Sequence, residues 1–166
     1  MGIPSYFSYI VKNHIHIIQK FIKNKMNINN LYLDCNSIIY DAVRNIDLTT
    51  IKLNDVTHQM ICKKVILKIE EYISVIGPDN NIMIAFDGVA PVAKLEQQRT
   101  RRYKSWYQNE VSKAIFKNAK PDAWNTTAIT PGTLFMKELN ETIKKYFNEP
   151  SKYNVKRLII STSDQY

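Results

Sequence analysis

Apolar positions along this 166-residue chain fall into two kinds of run. Some recur every three or four residues and predict helices. Others are short, continuous and flanked by polar residues, and predict strands buried on both faces. Residues 4–24 are of the first kind, with Phe7, Ile10, Val11, Ile15, Ile18 and Ile22 near one face and Pro4 near a first helical position. Asp55–Ile76 is the clearest helix. There Val56, Met60, Ile61, Val65, Ile69, Ile73 and Ile76 follow the 3.6 period as core positions, and Gly77-Pro78 supplies the stop. Ser37–Arg44 predicts a short helix, and Lys94–Lys117 a long one without internal Gly or Pro. Thr130-Pro131 reads as an N-cap followed by proline at the first helical position, opening a helix to about Phe147. Leu31–Asp34, Ile82–Phe86 and Leu158–Ile160 are the strands.

Helices alternating with short apolar strands favour an α/β layer with a largely parallel central sheet flanked by helices. The length suits one domain with a real core. Ligands of such sheets bind at the C-terminal ends of the strands. Asp34 and Asp87 both occupy that kind of position, and Asp164, four residues past the third strand, is expected on the same side.

Charge sharpens the picture. The formal net charge is +8 and the pI about 9.4, which favours a polyanionic partner such as nucleic acid over a neutral one. The charge is concentrated: residues 94–120 carry eight Lys/Arg against two Glu. Cys35 and Cys62 have neither metal nor disulfide spacing, so a reduced, intracellular protein of the cytoplasm or nucleus is expected. No apolar run approaches the roughly 20 residues that cross a bilayer, so no membrane partner is expected.

Two carboxylates at neighbouring strand ends repel, and burying either ionised is costly. A divalent cation removes the conflict. Mg²⁺, with Mn²⁺ as its substitute, takes hard oxygen ligands and a substrate phosphate, and paired ions stabilise both oxygens of a phosphodiester displacement. Helix capping is the plainer role for both acids. From Lys94, helical spacing puts Gln98, Arg101 and Arg102 on adjacent turns of one side, a set suited to a phosphate; a solvated basic face is the alternative. His14, His16 and His58 have no ligand spacing. Tyr103, Trp106 and Tyr107 read as helix packing rather than base stacking, and Gly132 as helix-start geometry rather than a phosphate loop.

In order along the chain stand Met1-Gly2-Ile3-Pro4-Ser5-Tyr6-Phe7, Leu31-Tyr32-Leu33-Asp34-Cys35-Asn36, Phe86-Asp87-Gly88-Val89-Ala90-Pro91, Ala93-Lys94…Gln97-Gln98-Arg99…Arg101-Arg102 and Ile129-Thr130-Pro131-Gly132-Thr133…Phe135-Met136. This series closely resembles the N-terminal part of the XRN 5′→3′ exoribonucleases, across essentially residues 1–166. The resemblance implies a PIN/flap-nuclease-like α/β fold, a Mg²⁺-dependent acidic site and stepwise removal of nucleotides from single-stranded RNA bearing a 5′-monophosphate. It implies metal-site roles for Asp34 and Asp87, and a 5′-phosphate pocket of Lys94, Gln98, Arg101 and Arg102 that disfavours capped or triphosphorylated ends. Asn36 would support the backbone phosphate and Tyr40 would stack on the terminal nucleotide.

Departures are visible. Ser37 stands where the family usually has Gly, Tyr40 where it has His, and Val92 where it has Arg, while Trp124-Asn125-Thr126-Thr127 follows the pattern loosely. The sequence ends about where the family's Gly-Glu-Gly-Glu-His would begin. Two carboxylates are a poor cage for two ions, so the isolated chain is expected to be an inactive part of a larger nuclease domain, completed in cis or in trans. Two competing readings are a flap-type DNA nuclease relative and a non-catalytic RNA-binding module, the latter as a degenerate viral or organellar copy.

Overall fold

A computed structural model describes residues 3, 5–22, 26–46, 54–115 and 124–164. Three parallel strands form one sheet in the order β1-β2-β3: β1 is Asn30–Asp34, β2 is Asn81–Ala85 and β3 is Arg157–Ser161. The crossover from β1 to β2 carries α2 (Asn36–Arg44) and α3 (Asn54–Ile76). The crossover from β2 to β3 carries α4 (Val92–Ile115) and α5 (Leu134–Tyr146). A further helix, α1 (Tyr6–Asn13), precedes the sheet. The expected α/β class and parallel sheet are both present.

The core lies on one face of the sheet. Ile82 and Ile84 of β2 are fully buried with Ile61, Val65 and Ile69 of α3 and with Phe135, Leu139 and Ile143 of α5. Each such side chain contributes about 1.5–3 kcal/mol when withdrawn from water. From α2, Ile38, Ile39 and Ala42 join the same cluster. Gly77 ends α3 as expected: it takes φ +61° and donates its N–H to the Ile73 carbonyl at 2.8 Å.

The other face corrects the expectation of strands buried on both sides. The pairing register aligns Tyr32, Met83 and Ile159 across the sheet, and Tyr32 and Ile159 are 66% and 43% exposed. Only β2 buries alternate residues fully; β1 and β3 are edges with one face open. A polar row, Asn30, Asn81 and Arg157, runs beside the apolar one, linked by hydrogen bonds of 2.6 and 3.2 Å.

Three helix assignments also shift. The first helix stops at Asn13, and Ile15–Ile17 is a short 3-10 turn. The β-branched isoleucines there are poor helix formers, and Ile15 and Ile17, like Phe7, are exposed among the described residues. Pro4 and Asn24 of that prediction, like Phe116 and Lys117 of the fourth helix, lie outside the described residues. In α3, Val56 and Met60 are exposed rather than core. The last helix is capped by Thr133, not Thr130: Thr133 Oγ1 accepts from the Met136 N–H, and Leu134 is the first helical residue. Gly132 has φ +87° and belongs to the turn before the cap, as its role in helix-start geometry required.

Candidate functional site

Backbone pairing fixes the two strand-end acids. Asp34 is the last residue of β1 and faces Ala85 in the register. The ladder continues past it, with the Cys35 N–H donating to the Ala85 carbonyl at 2.8 Å. On the other side the Phe86 N–H donates to the Ser161 carbonyl at 2.9 Å, so the chain enters Asp87 still tied to β3. Asp87 lies two residues beyond the partner of Asp34, which from strand spacing and rise sets their Cα atoms roughly 8 Å apart. Asp34 shares the open face with Asn30 and Tyr32 by strand alternation, and both acids are exposed.

Asn36 joins them. Its side-chain Oδ1 accepts from the backbone N–H of Asp87 at 3.0 Å. The residue two positions after the first acid thereby holds the backbone of the second. Sequence reasoning assigned Asn36 to phosphate; the contact with Asp87, 51 residues away, was not foreseeable from a local pattern. Tyr40 lies one turn further along α2 and is 40% exposed, with Ile39 beside it fully buried.

Asp164 follows β3 at the same end of the sheet, but its carboxylate is engaged. Asn140 Nδ2 donates to it at 3.1 Å and Lys144 Nζ lies at 3.6 Å. A hydrogen bond from Thr162, with Lys144 adding its charge, holds the carboxyl below its usual range. Asn140 is buried, its Nδ2 also donates to Ser163 at 2.9 Å, and its Oδ1 has no hydrogen-bond partner among the described residues. This buried amide, which the sequence analysis passed over, fixes the loop after β3.

Lys94, Gln98, Arg101 and Arg102 all lie on the first half of α4, which starts five residues after Asp87. Gln98 is half-buried and the three cations are exposed. Pro91 starts the helix by accepting from the Lys94 and Leu95 N–H groups at 2.8 and 3.1 Å. Arg102 has a fixed partner among the described residues, donating to Thr130 Oγ1 at 3.0 Å. Tyr103, Trp106 and Tyr107 are exposed, against the expectation of helix packing.

For a metal, Asp34 and Asp87 offer hard oxygen donors, which suits Mg²⁺ or Mn²⁺ rather than a thiophilic ion. Among the described residues no group of three His, Cys, Asp or Glu side chains converges. The pair by itself would offer a cation two carboxylates, short of a closed cage. Cys35 is fully buried beside Asp34, and burial, with Asp34 adding to it, pushes its thiol up to about 12. His58 is equally committed, its Nδ1 lying 2.7 Å from Glu138 Oε2 and its ring meeting Trp124 and Phe135 edge-on. No described helix is long and apolar enough to cross a membrane.

Comparison with known proteins gives one family throughout. A family model described as "XRN 5'-3' exonuclease N-terminus" matches residues 1–166. The chain is 33% identical over 175 residues to 5'-3' exoribonuclease 1 of Saccharomyces cerevisiae, covering 97% of this chain and 11% of that protein. It is 32% identical over 158 residues to the human 5'-3' exoribonuclease 1, covering 89% of this chain and 9% of the relative. For 5'-3' exoribonuclease 2 of Kluyveromyces lactis the identity is 27% over 183 residues, with 87% and 18% covered. The chain thus spans between about a tenth and a fifth of the length of these relatives.

Proposed function

We propose a function from one premise: the chain belongs to the XRN 5'-3' exonuclease N-terminal family, with the α/β, PIN-like sheet that goes with it. In this reading it is the segment of a 5′→3′ exoribonuclease that recognises the 5′-monophosphate of single-stranded RNA and supplies two carboxylates to a divalent metal site. The observation that carries it is the succession of Asp87, a short turn and the Lys94–Arg102 cluster, with Asp34 on the neighbouring strand.

Each group has a role that its chemistry permits. Lys94, Gln98, Arg101 and Arg102 bind the terminal phosphate, whose extra charge rewards several cations more than an internal phosphodiester would. Tyr40 stacks on the first base and so orients the strand. Asp34 and Asp87 would hold Mg²⁺ or Mn²⁺, which supplies Lewis-acid stabilisation of the scissile phosphate and an activated water. Asn36 keeps the Asp87 backbone in register with Asp34. Two carboxylates leave the metal site short of protein ligands, so the chain alone binds RNA ends, and hydrolysis needs the further residues of the larger domain, in cis or in trans.

The test is degradation of 3′-labelled RNA with a 5′-phosphate, by this chain alone and by a chimera that joins it to the rest of a relative's nuclease region. Magnesium-dependent decay by the chimera, stopped by Asp34→Asn or Asp87→Asn, is expected. Decay by the 166-residue chain alone, abolished by Asp87→Asn, would overturn the division of labour. Salt-dependent RNA binding with no cleavage even in the chimera would favour a binding module instead.

A further inference from the structure

We propose that Thr130 is a positioning residue for the 5′-phosphate site: its hydroxyl aims the guanidinium of Arg102. This rests on the reading of Lys94, Gln98, Arg101 and Arg102 as that site. The hydroxyl proton of Thr130 is already committed, since Oγ1 donates to the Thr127 carbonyl at 2.7 Å. Its lone pairs are therefore what Arg102 meets, and a terminal guanidinium nitrogen donates to Oγ1 at 3.0 Å. The polarity of both bonds is fixed by chemistry, because arginine can only donate.

The loop that offers this acceptor is held on several sides. Asn125 Oδ1 accepts from the Thr127 N–H at 2.9 Å. The single hydroxyl proton of Thr133 lies between the carbonyls of Ala128 and Thr130, at 2.5 and 2.9 Å. Ile129, next in sequence, is buried in the core. Thr130 is not needed to begin α5, because Thr133 provides that cap. Arg102, by contrast, stands exposed on α4, where Gln98 is the half-buried residue among the described side chains. An unheld arginine gives up its rotamer freedom when it binds phosphate. One N–H held in advance leaves less to lose. A guanidinium has five N–H donors, so a contact with Thr130 leaves others for phosphate oxygens.

The experiment measures binding of short oligoribonucleotides, with a 5′-phosphate or a 5′-hydroxyl, to the 166-residue chain by fluorescence anisotropy. Wild type should prefer the phosphate. Thr130→Val should cut that preference up to about ten-fold, as expected when the freedom of one long side chain must again be surrendered on binding, and leave affinity for 5′-hydroxyl RNA unchanged. Thr130→Ser should keep the preference. Arg102→Ala should remove at least as much, and Thr130→Val added to Arg102→Ala should cost nothing further. A Thr130→Val chain with wild-type preference, an equal loss for both RNAs, or an additive loss in the double variant overturns the inference. A wild type without preference, or an Arg102→Ala chain that keeps it, overturns the phosphate-site reading itself. Should Thr130→Val fail to fold, ¹⁵N relaxation of the wild-type guanidinium groups decides. Arg102 should be ordered before RNA is added, and an Arg102 as mobile as Arg99 overturns the inference.

Discussion

Asp34 and Asp87 are carried by backbone that the sheet already holds, while Lys94, Arg101 and Arg102 stand on a helix whose described side chains are exposed except for the half-buried Gln98. The acids sit at the ends of a parallel ladder whose other side packs Ile82 and Ile84 into the core. The cations lean on one side-chain contact among the described residues, Arg102 to Thr130. This difference fits the demands of the task proposed for each. A metal site needs donors placed to fractions of an ångström before the ion binds. A flexible RNA end can be gathered by cations that close on it, at the cost of the freedom they surrender.

The comparison predicts that the two halves fail for different reasons. The largest effect should come from the shared core beneath the acids: Ile84→Ala should lower unfolding free energy by about 2–5 kcal/mol, read as a lower urea midpoint. Lys94→Ala, in the basic half, should shift that midpoint by less than about 0.5 kcal/mol. Equal losses would erase the distinction. Next, Asn36→Ala should cost about 1 kcal/mol by removing the side-chain acceptor of the solvent-accessible Asp87 N–H, and should weaken Mg²⁺ binding while leaving the 5′-phosphate preference intact. Titration calorimetry with Mg²⁺ and anisotropy with RNA separate these outcomes.

The smallest effect concerns a cluster remote from both halves. Burial pushes the Glu70 carboxyl up, but hydrogen bonds from Lys152, Tyr146 and Tyr153 outweigh it and leave the group below its usual range. A carboxyl with a lowered folded-state pKa stabilises above its unfolded value and loses that contribution as pH falls through the folded one. Glu70→Gln should therefore cost up to about 1 kcal/mol at neutral pH. Its unfolding curve should merge with that of wild type in acid, where Glu70 is protonated. A gap that persists at low pH would show that the contacts matter through shape rather than charge.

Particular residues explain what could be read from the sequence. The register of α3 was legible from Ile61, Val65, Ile69 and Ile73 because these side chains do pack. It failed at Val56 and Met60, which follow the same period but are exposed. The strands read as buried on both faces because Leu31-Tyr32-Leu33 and Leu158-Ile159-Ile160 are apolar throughout. Hydrophobicity alone does not say that the Tyr32–Met83–Ile159 face stays open. In the site, Asp34 and Asp87 were visible as acids at strand ends. The ties that hold them and their neighbours, Asn36 to Asp87 and Thr130 to Arg102, span 51 and 28 residues. No local pattern encodes such pairs. Thr130 was mistaken for a cap because Thr-Pro is a good helix start, whereas Gly132 at φ +87° moves the start to Thr133.

The claim that recognition and metal binding are separable parts of one site is tested most directly with Asp87→Asn. The measurement is the ratio of affinities for 5′-phosphate and 5′-hydroxyl RNA, taken without added divalent ions so that the metal does not contribute. The account predicts that Asp87→Asn keeps the wild-type preference, because Lys94, Gln98, Arg101 and Arg102 are untouched. A preference that collapses in Asp87→Asn, to the level of Arg102→Ala, would contradict it.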